Sequence, residues 1–442
     1  MEAIQREQAL LRRLAWRLMP LLIALFVMSF IDRQNVGFAK LQMLSDLHMT
    51  EAVYGFGASL FFIGYLIFEV PSALGLQRYG ARLWLARIIC TWGLITIALG
   101  FTSSATMFYS LRFLLGVAEA GFYPGAIFYI STWFPRSYRI RVLGFFTLGS
   151  TLGNMFGGLL NGMFLDLNGA LGLAGWQWVF IGTGLPAVLM TAVVLAYLPS
   201  SPETATFLSD EDRRLLADAH AREPALHPTH GRPWAALWDP RVIGFAAIYM
   251  LMSTSLYGMT YWLPTVVKGF GVSSTINGLL NMVPWGIAAL LLIWLPGLLR
   301  RDRLVFQAVS AITLLGVLCF TASVLLTDST ERFVALAIGG PCISLLYPCF
   351  WSLPPRFFSG ARAAASIAAI NSIGNLGGFF AQNLMPWVGQ QMGSTAAPML
   401  VPAVCLSVLC LGAVAFLIAG PRGGRDGGLP DIHQTRPSSI SG

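Results

Sequence analysis

Twelve runs of about 20 mostly apolar residues, each bounded by charge, glycine or proline, follow one another along this 442-residue chain. A helix needs ~20 residues to cross the hydrocarbon core of a bilayer, and nothing but a helix or a closed barrel satisfies its backbone there. The runs lie at about 18–38, 52–75, 83–103, 107–131, 141–165, 177–198, 241–264, 274–299, 304–326, 331–354, 362–389 and 396–419. Composition agrees: 11% of residues are charged and 56% are hydrophobic, against roughly 25% charged in a soluble domain. The chain is predicted to be an all-α integral membrane protein of twelve transmembrane helices.

The net charge of +8 comes from 28 Lys and Arg, of which only Lys40 and Lys268 are lysines. No run of five basic residues occurs, so nucleic acid is not an expected partner. The basic residues follow the positive-inside rule instead. With both termini in the cytoplasm, all but Arg33, Lys40, Arg112, Lys268 and Arg332 fall on cytoplasmic segments or their flanks. Arg78, Arg82 and Arg87 after the second run, and Arg136, Arg139 and Arg141 after the fourth, are examples. Arg12, Arg13 and Arg17 precede the first run, but no cleavage signal closes it. It reads as a retained spanning helix in a bacterial-type inner membrane. The six cysteines lie in apolar runs without a CxxC pair or a Cys/His cluster, which suits packing rather than disulfides or metal.

Residues 199–240 form the longest polar stretch between runs. We read 1–198 and 241–420 as two six-helix bundles, 199–240 as a cytoplasmic linker and 421–442 as a disordered cytoplasmic tail. Within the linker, 209–222 suits a short amphipathic helix capped by Ser209. The bundles echo each other. Tyr123-Pro124 and Pro135-Arg136 recur as Tyr347-Pro348 and Pro355-Arg356; Gly153-Asn154 and Gly157-Gly158 recur as Gly374-Asn375 and Gly377-Gly378. The offsets are about 220–224 residues. Two parallel pseudo-symmetric repeats suit a rocking transporter.

A charge at mid-bilayer costs ~2.5–3.5 kcal/mol on insertion scales, so the few within runs are candidates for function. Asp32 and Arg33 are adjacent and point about 100° apart on a helix. Arg33 can hold a carboxylate through two parallel hydrogen bonds, and Asp32 can carry a proton. The competing reading places both in interfacial water at the outer end of the run. Glu119, seven residues after Arg112 on the same face, suits reversible protonation or a structural hydrogen bond. Arg112 reads as a structural or coupling charge. Glu69 reads as an interfacial anchor. Tyr65 offers a hydroxyl to a polar substrate or simply packs. Gly149, Gly153 and Gly157, four residues apart, let a neighbouring helix approach closely. Asn371 and Asn375 are polar and one turn apart, and Trp351, Tyr257 and Trp262 are aromatics able to line a cavity. The five histidines lie in loops, linker or tail, and no metal site is expected. No HExxH, GxSxG or Walker lysine motif occurs, so the chain is not expected to be an enzyme.

From about residue 14 to 420 the sequence resembles the major facilitator superfamily, and within it the anion:cation symporters, which include tartrate, phthalate, hydroxyphenylacetate and sugar-acid permeases. The resemblance rests on IDRQNVGFA, FFIGYLIFEVPSALGLQRYGARLWLARIICTWG, LRFLLGVAEAGFYPGAIFYISTWFP and YGMTYWLPTVVK. It implies that Arg33 anchors a substrate carboxylate and that Asp32 and Glu119 are the protonatable pair. It also implies that Tyr65, Ser150, Trp351 and Asn371 approach the substrate. The expected function is proton-coupled import of a small organic anion by a monomer, with the proton gradient as energy source and no cofactor. Two departures bear on gating. The superfamily's loop after the second span reads GxxxDRxGRR; here Gln77 stands in the Asp position, beside Arg78 and Arg82. The equivalent loop from Pro296 to Arg303 is shortened. Drug exporters of the superfamily carry GxxxGPxxGG in the fifth span; here Asn154 replaces the Pro. That favours symport over a drug or metabolite antiporter on the same fold.

Overall fold

The computed structural model describes residues 2–222, 239–298, 302–358 and 360–419. Its helices are α1 (Glu2–Asp46), α2 (Glu51–Tyr79), α3 (Ala81–Leu99), α4 (Ala105–Glu119), α5 (Phe122–Trp133), α6 (Arg136–Leu165), α7 (Gly175–Tyr197) and α8 (Asp210–Ala221). There follow α9 (Pro240–Lys268), α10 (Ser274–Leu298), α11 (Asp302–Leu325), α12 (Ser329–Trp351), α13 (Pro354–Phe357), α14 (Gly360–Asn375), α15 (Gly377–Met392) and α16 (Leu400–Ala419). The tail predicted at 421–442 lies outside the described residues, as does the Gln77 side chain.

Among the described residues, 11 helices are long and apolar enough to cross a membrane, with α4 and α5 counted as one. The remaining predicted span, 362–389, is built from α14 and α15, 16 residues each. They meet at Leu376, whose φ of −59° and ψ of −15° keep the chain in the right-handed helical region. The path is therefore one bent span rather than two. The junction packs closely on α9: a Cβ on Gly377 would come within 2.4 Å of the Met250 carbonyl oxygen.

The fourth span breaks harder. After Glu119 the chain leaves helix at Ala120 (φ −54°, ψ 131°) and turns through Gly121 at φ 86°. Only glycine takes that conformation at little cost. A Cβ there would also lie 2.2 Å from the Ser72 hydroxyl of α2. Just before the break, α2 and α4 touch backbone to backbone: a Cβ on Gly116 would sit 2.0 Å from the Phe61 carbonyl oxygen. Overpacking a fitted contact costs ~1–3 kcal/mol. We expect Gly116→Ala to lower the melting temperature in detergent clearly, whereas Gly144→Ala, with nothing within 4 Å of its Cβ, should leave it unchanged. Equal melting of the two variants would contradict the packing account.

The two halves meet along three helix pairs. Gly158 and Gly162 of α6 lie against Gly278 of α10, Gly37 of α1 lies against the Tyr261 carbonyl of α9, and Gly55 of α2 lies against the Gln382 carbonyl of α15. At the end of the molecule remote from residues 199–222, polar bonds join the halves. Lys268 Nζ donates to the Leu41 carbonyl at 2.5 Å. Asp166 Oδ2 accepts from the Thr275 amide at 2.8 Å and its hydroxyl at 2.7 Å, capping the start of α10. Partial burial works to raise the Asp166 pKa, but the bonds from Thr275 and Ser274 hold it below the usual aspartate value. This link is thus complete above the ordinary aspartate range and weakens as pH falls through the lowered value.

At the opposite end, helix α8 forms as the sequence predicts, with the Ser209 hydroxyl accepting from the Asp212 amide at 3.1 Å. It docks on the N-terminal extension of α1 through Arg6–Glu211 (3.3 Å), Arg13–Asp212 (2.5 Å) and Arg222–Glu7 (3.1 Å). The outward faces carry bare leucines such as Leu290 and Leu411 (64% and 71% exposed), which lipid covers.

Candidate substrate and proton site

Arg33 lies at the interface between the halves. Its Nε and Nη2 reach Glu119 Oε1 of α4 at 2.8 and 2.6 Å. Its Nη1 donates to Tyr257 Oη of α9 at 3.0 Å. One guanidinium therefore bridges a carboxylate of the first half and a phenol of the second. Its planar faces lie among the rings of Phe30, Phe61 and Tyr65, with centroids 5.2, 5.5 and 5.3 Å away. The Arg33 side chain is 14% exposed, and Tyr65 lies beside it through its ring.

Glu119 is fully buried and is the last residue of α4. The C-terminal end of a helix carries partial negative charge, which disfavours a carboxylate. Arg33 offsets that penalty on one oxygen; Oε2 has no hydrogen-bond partner among the described residues. Asp32 is also buried, at 1% exposure, and not in interfacial water. Its Oδ1 accepts from Asn35 Nδ2 at 3.0 Å, and the same nitrogen reaches Thr183 Oγ1 at 3.3 Å. Arg112 is buried as well. Its Nη2 donates to the Ala58 carbonyl at 3.1 Å, while Nε and Nη1 have no partner among the described residues. Asp32 and Glu119 are the carboxylates whose charge acts on Arg112. Two acids and two guanidinium groups thus share one buried cluster. In a low-dielectric interior a net charge there is costly, so the protonation of either acid calls for a replacement anion.

The other predicted residues fall elsewhere. Ser150 bonds back to its own helix at the Thr147 carbonyl, 2.8 Å away. Trp351 packs edge-on against Tyr249 and Phe350, centroids 5.1 and 5.2 Å apart. Asn371 donates to Glu69 Oε1 at 3.4 Å. Gly149, Gly153 and Gly157 line the contact of α6 with α1, against Phe26, Phe30 and Gln34. Arg78 lies over the Tyr79 ring at 5.4 Å. Arg82 donates to the Leu195 carbonyl.

Two features escaped sequence reasoning. Glu69, expected to be an interfacial anchor, is 8% exposed and reaches across to the other half. Lys40 is buried beside Glu51 (3.1 Å) with its ammonium 3.5 Å from the Trp262 ring centroid. Neither site has a sequence signal: Trp262 lies 222 residues from Lys40, Asn371 and Ser372 lie 302 and 303 residues from Glu69, and Glu51, 11 residues from Lys40, is on a different helix.

The Major Facilitator Superfamily profile matches residues 22–382. The chain belongs to that superfamily. A protein of Agrobacterium vitis named "Putative tartrate transporter" is 40% identical over 425 residues, covering 95% of this chain and 97% of that one. A "Quinolone resistance transporter" of Acinetobacter baumannii is 41% identical, covering 84% and 87%. "Inner membrane transport protein RhmT" of Escherichia coli is 34% identical, covering 88% and 90%. Among solved structures, the xylose transporter XylE of E. coli in an inward-open conformation superposes with a TM-score of 0.70 at 14% identity, covering 89% and 95%. That likeness speaks for the fold. The chain is a multi-pass membrane transporter of the major facilitator fold, with a small-molecule substrate, and not an enzyme.

Proposed function

We propose that this superfamily member imports a small organic anion, a hydroxy, sugar or aromatic carboxylate, together with protons by alternating access. The observation that carries this reading is the occupation of Arg33. Glu119 takes Nε and Nη2, the edge of a guanidinium that binds a carboxylate in bidentate fashion. Substrate and ionised Glu119 therefore compete for the same donors. Protonating Glu119 frees the edge, and the arriving carboxylate restores the charge balance with Arg33 and Arg112. Asp32, in the same cluster, is the second proton site. With one proton on Glu119 and one bound carboxylate the cluster carries no excess charge, and a second proton on Asp32 is balanced when the substrate brings a second carboxylate, so the halves can rock across the membrane potential. Release to a less acidic cytoplasm lets Glu119 ionise and reclaim Arg33. Two relatives named for tartrate support the carboxylate class. The arginine bias supports an inner-membrane orientation with both termini and α8 in the cytoplasm. The carrier needs no cofactor beyond the proton gradient and works as a monomer.

The test is uptake into proteoliposomes under an inward proton gradient, with a panel of labelled acids headed by tartrate. Gradient-driven accumulation of one acid is the expected result. The quinolone-resistance relative motivates a second reading, proton-driven drug export. Extrusion of a fluoroquinolone without accumulation of any acid would establish that one instead.

A further inference from the structure

Glu69 is a buried carboxylate that the mechanism above does not use. It lies on α2, one turn beyond Tyr65, whose ring touches the Arg33 guanidinium. At 1.5 Å per residue, this places it ~6 Å from Tyr65 along the helix, on the side of the end that carries α8. Both of its partners belong to the other half. The Ser372 hydroxyl donates to Oε2, and Asn371 Nδ2 donates to Oε1 at 3.4 Å, both from α14. Elsewhere along α2, among the described residues, Phe62 packs on Gly378 and Gly55 on the Gln382 carbonyl. Among the described residues Arg33 is the charge that acts on Glu69, and Tyr65, on its own helix, is the neighbouring phenol.

A carboxylate bound by hydroxyl and amide makes charge-assisted hydrogen bonds, about twice as strong as neutral ones. Such bonds sit between the Arg33 site and the α8 end. They must break before the halves can separate there. We propose that Glu69 is a coupling residue of the transport cycle, a latch that holds α2 to α14 and keeps the Arg33 site closed toward the α8 end. Under the proposed orientation that end is the cytoplasmic one. The latch rests on the alternating-access part of the proposed function, and on neither the substrate nor the proton.

The experiment measures the separation of the halves directly and adds no substrate. Spin labels go on Leu83→Cys and Ile243→Cys, exposed residues (59% and 50%) near the α8 end of each half, in a background with the six native cysteines replaced. Pulsed dipolar distances are recorded in lipid nanodiscs. Glu69→Ala is expected to move population to longer distances, roughly tenfold in the open-to-closed ratio, the factor that ~1.4 kcal/mol gives. Ser372→Ala, a one-atom deletion that poses little risk to folding, should shift it in the same direction. Glu69→Gln should shift it less than Glu69→Ala, because its amide oxygen still accepts from Ser372 and Asn371 can turn its own oxygen toward the new amide, through neutral bonds in place of charge-assisted ones. Unchanged distances in both Glu69→Ala and Ser372→Ala would overturn the latch. So would an equal shift in Glu69→Gln and Glu69→Ala. Failure of the anion-uptake assay would leave these outcomes untouched.

Discussion

Arg33→Ala is expected to reduce substrate uptake at least ~100-fold, to the level of empty liposomes. A bidentate charge-assisted pair contributes several kcal/mol at a buried site, and each 1.4 kcal/mol is tenfold. Losing the guanidinium also strands Glu119, whose Oε2 already lacks a partner. Breaking one side of a buried pair costs ~3–5 kcal/mol, so the variant should also melt at lower temperature. The two effects separate in a double variant. Arg33→Ala combined with Glu119→Gln removes the stranded charge and should recover thermal stability, yet remain inactive. Arg33→Lys should fail too, since a single ammonium cannot reproduce two parallel donors. The checks are initial uptake rates and melting curves on the same preparations. Near-normal uptake by Arg33→Ala would remove the anchor from the mechanism.

Glu119→Gln is expected to uncouple transport rather than abolish binding. The amide mimics the protonated acid and leaves Nε and Nη2 of Arg33 free for the substrate. Binding should become nearly independent of pH and at least as tight as in the parent protein at neutral pH. Exchange of labelled for unlabelled substrate should persist, because it requires no change of protonation. Accumulation driven by a proton gradient should drop by more than ~10-fold. Loss of exchange and accumulation together would instead mark Glu119 as structural, at the break between α4 and α5.

The fold was legible because it is written in run length and charge count, which a bilayer reads directly. The difference of one in the span count arose at Leu376. There the helix is interrupted for one residue, beside the close approach of Gly377 to the Met250 carbonyl, and no feature of periodicity signals such an interruption. The buried acids and Arg33 were legible for a physical reason as well: a charge inside an apolar run is costly enough to stand out. Their pairing was not. Arg33 with Glu119 joins residues 86 apart, and Arg33 with Tyr257 joins residues 224 apart. Ser150, Trp351 and Asn371 were chosen by position within a span. In this conformation they bond or pack with Thr147, Tyr249 and Glu69. Glu69 was misread because its place near the end of a run suggested an interface; its partners lie about 300 residues away on α14.

The central claim is that substrate carboxylate and a proton on Glu119 go together at Arg33. The most direct measurement is proton uptake by the purified carrier in weakly buffered solution near neutral pH, as the acid identified by the uptake panel is added. The account predicts alkalinisation of the medium that saturates with binding and falls in Glu119→Gln, which should still bind, to no more than the share that Asp32 carries. Saturable binding to the parent protein without proton uptake would contradict it.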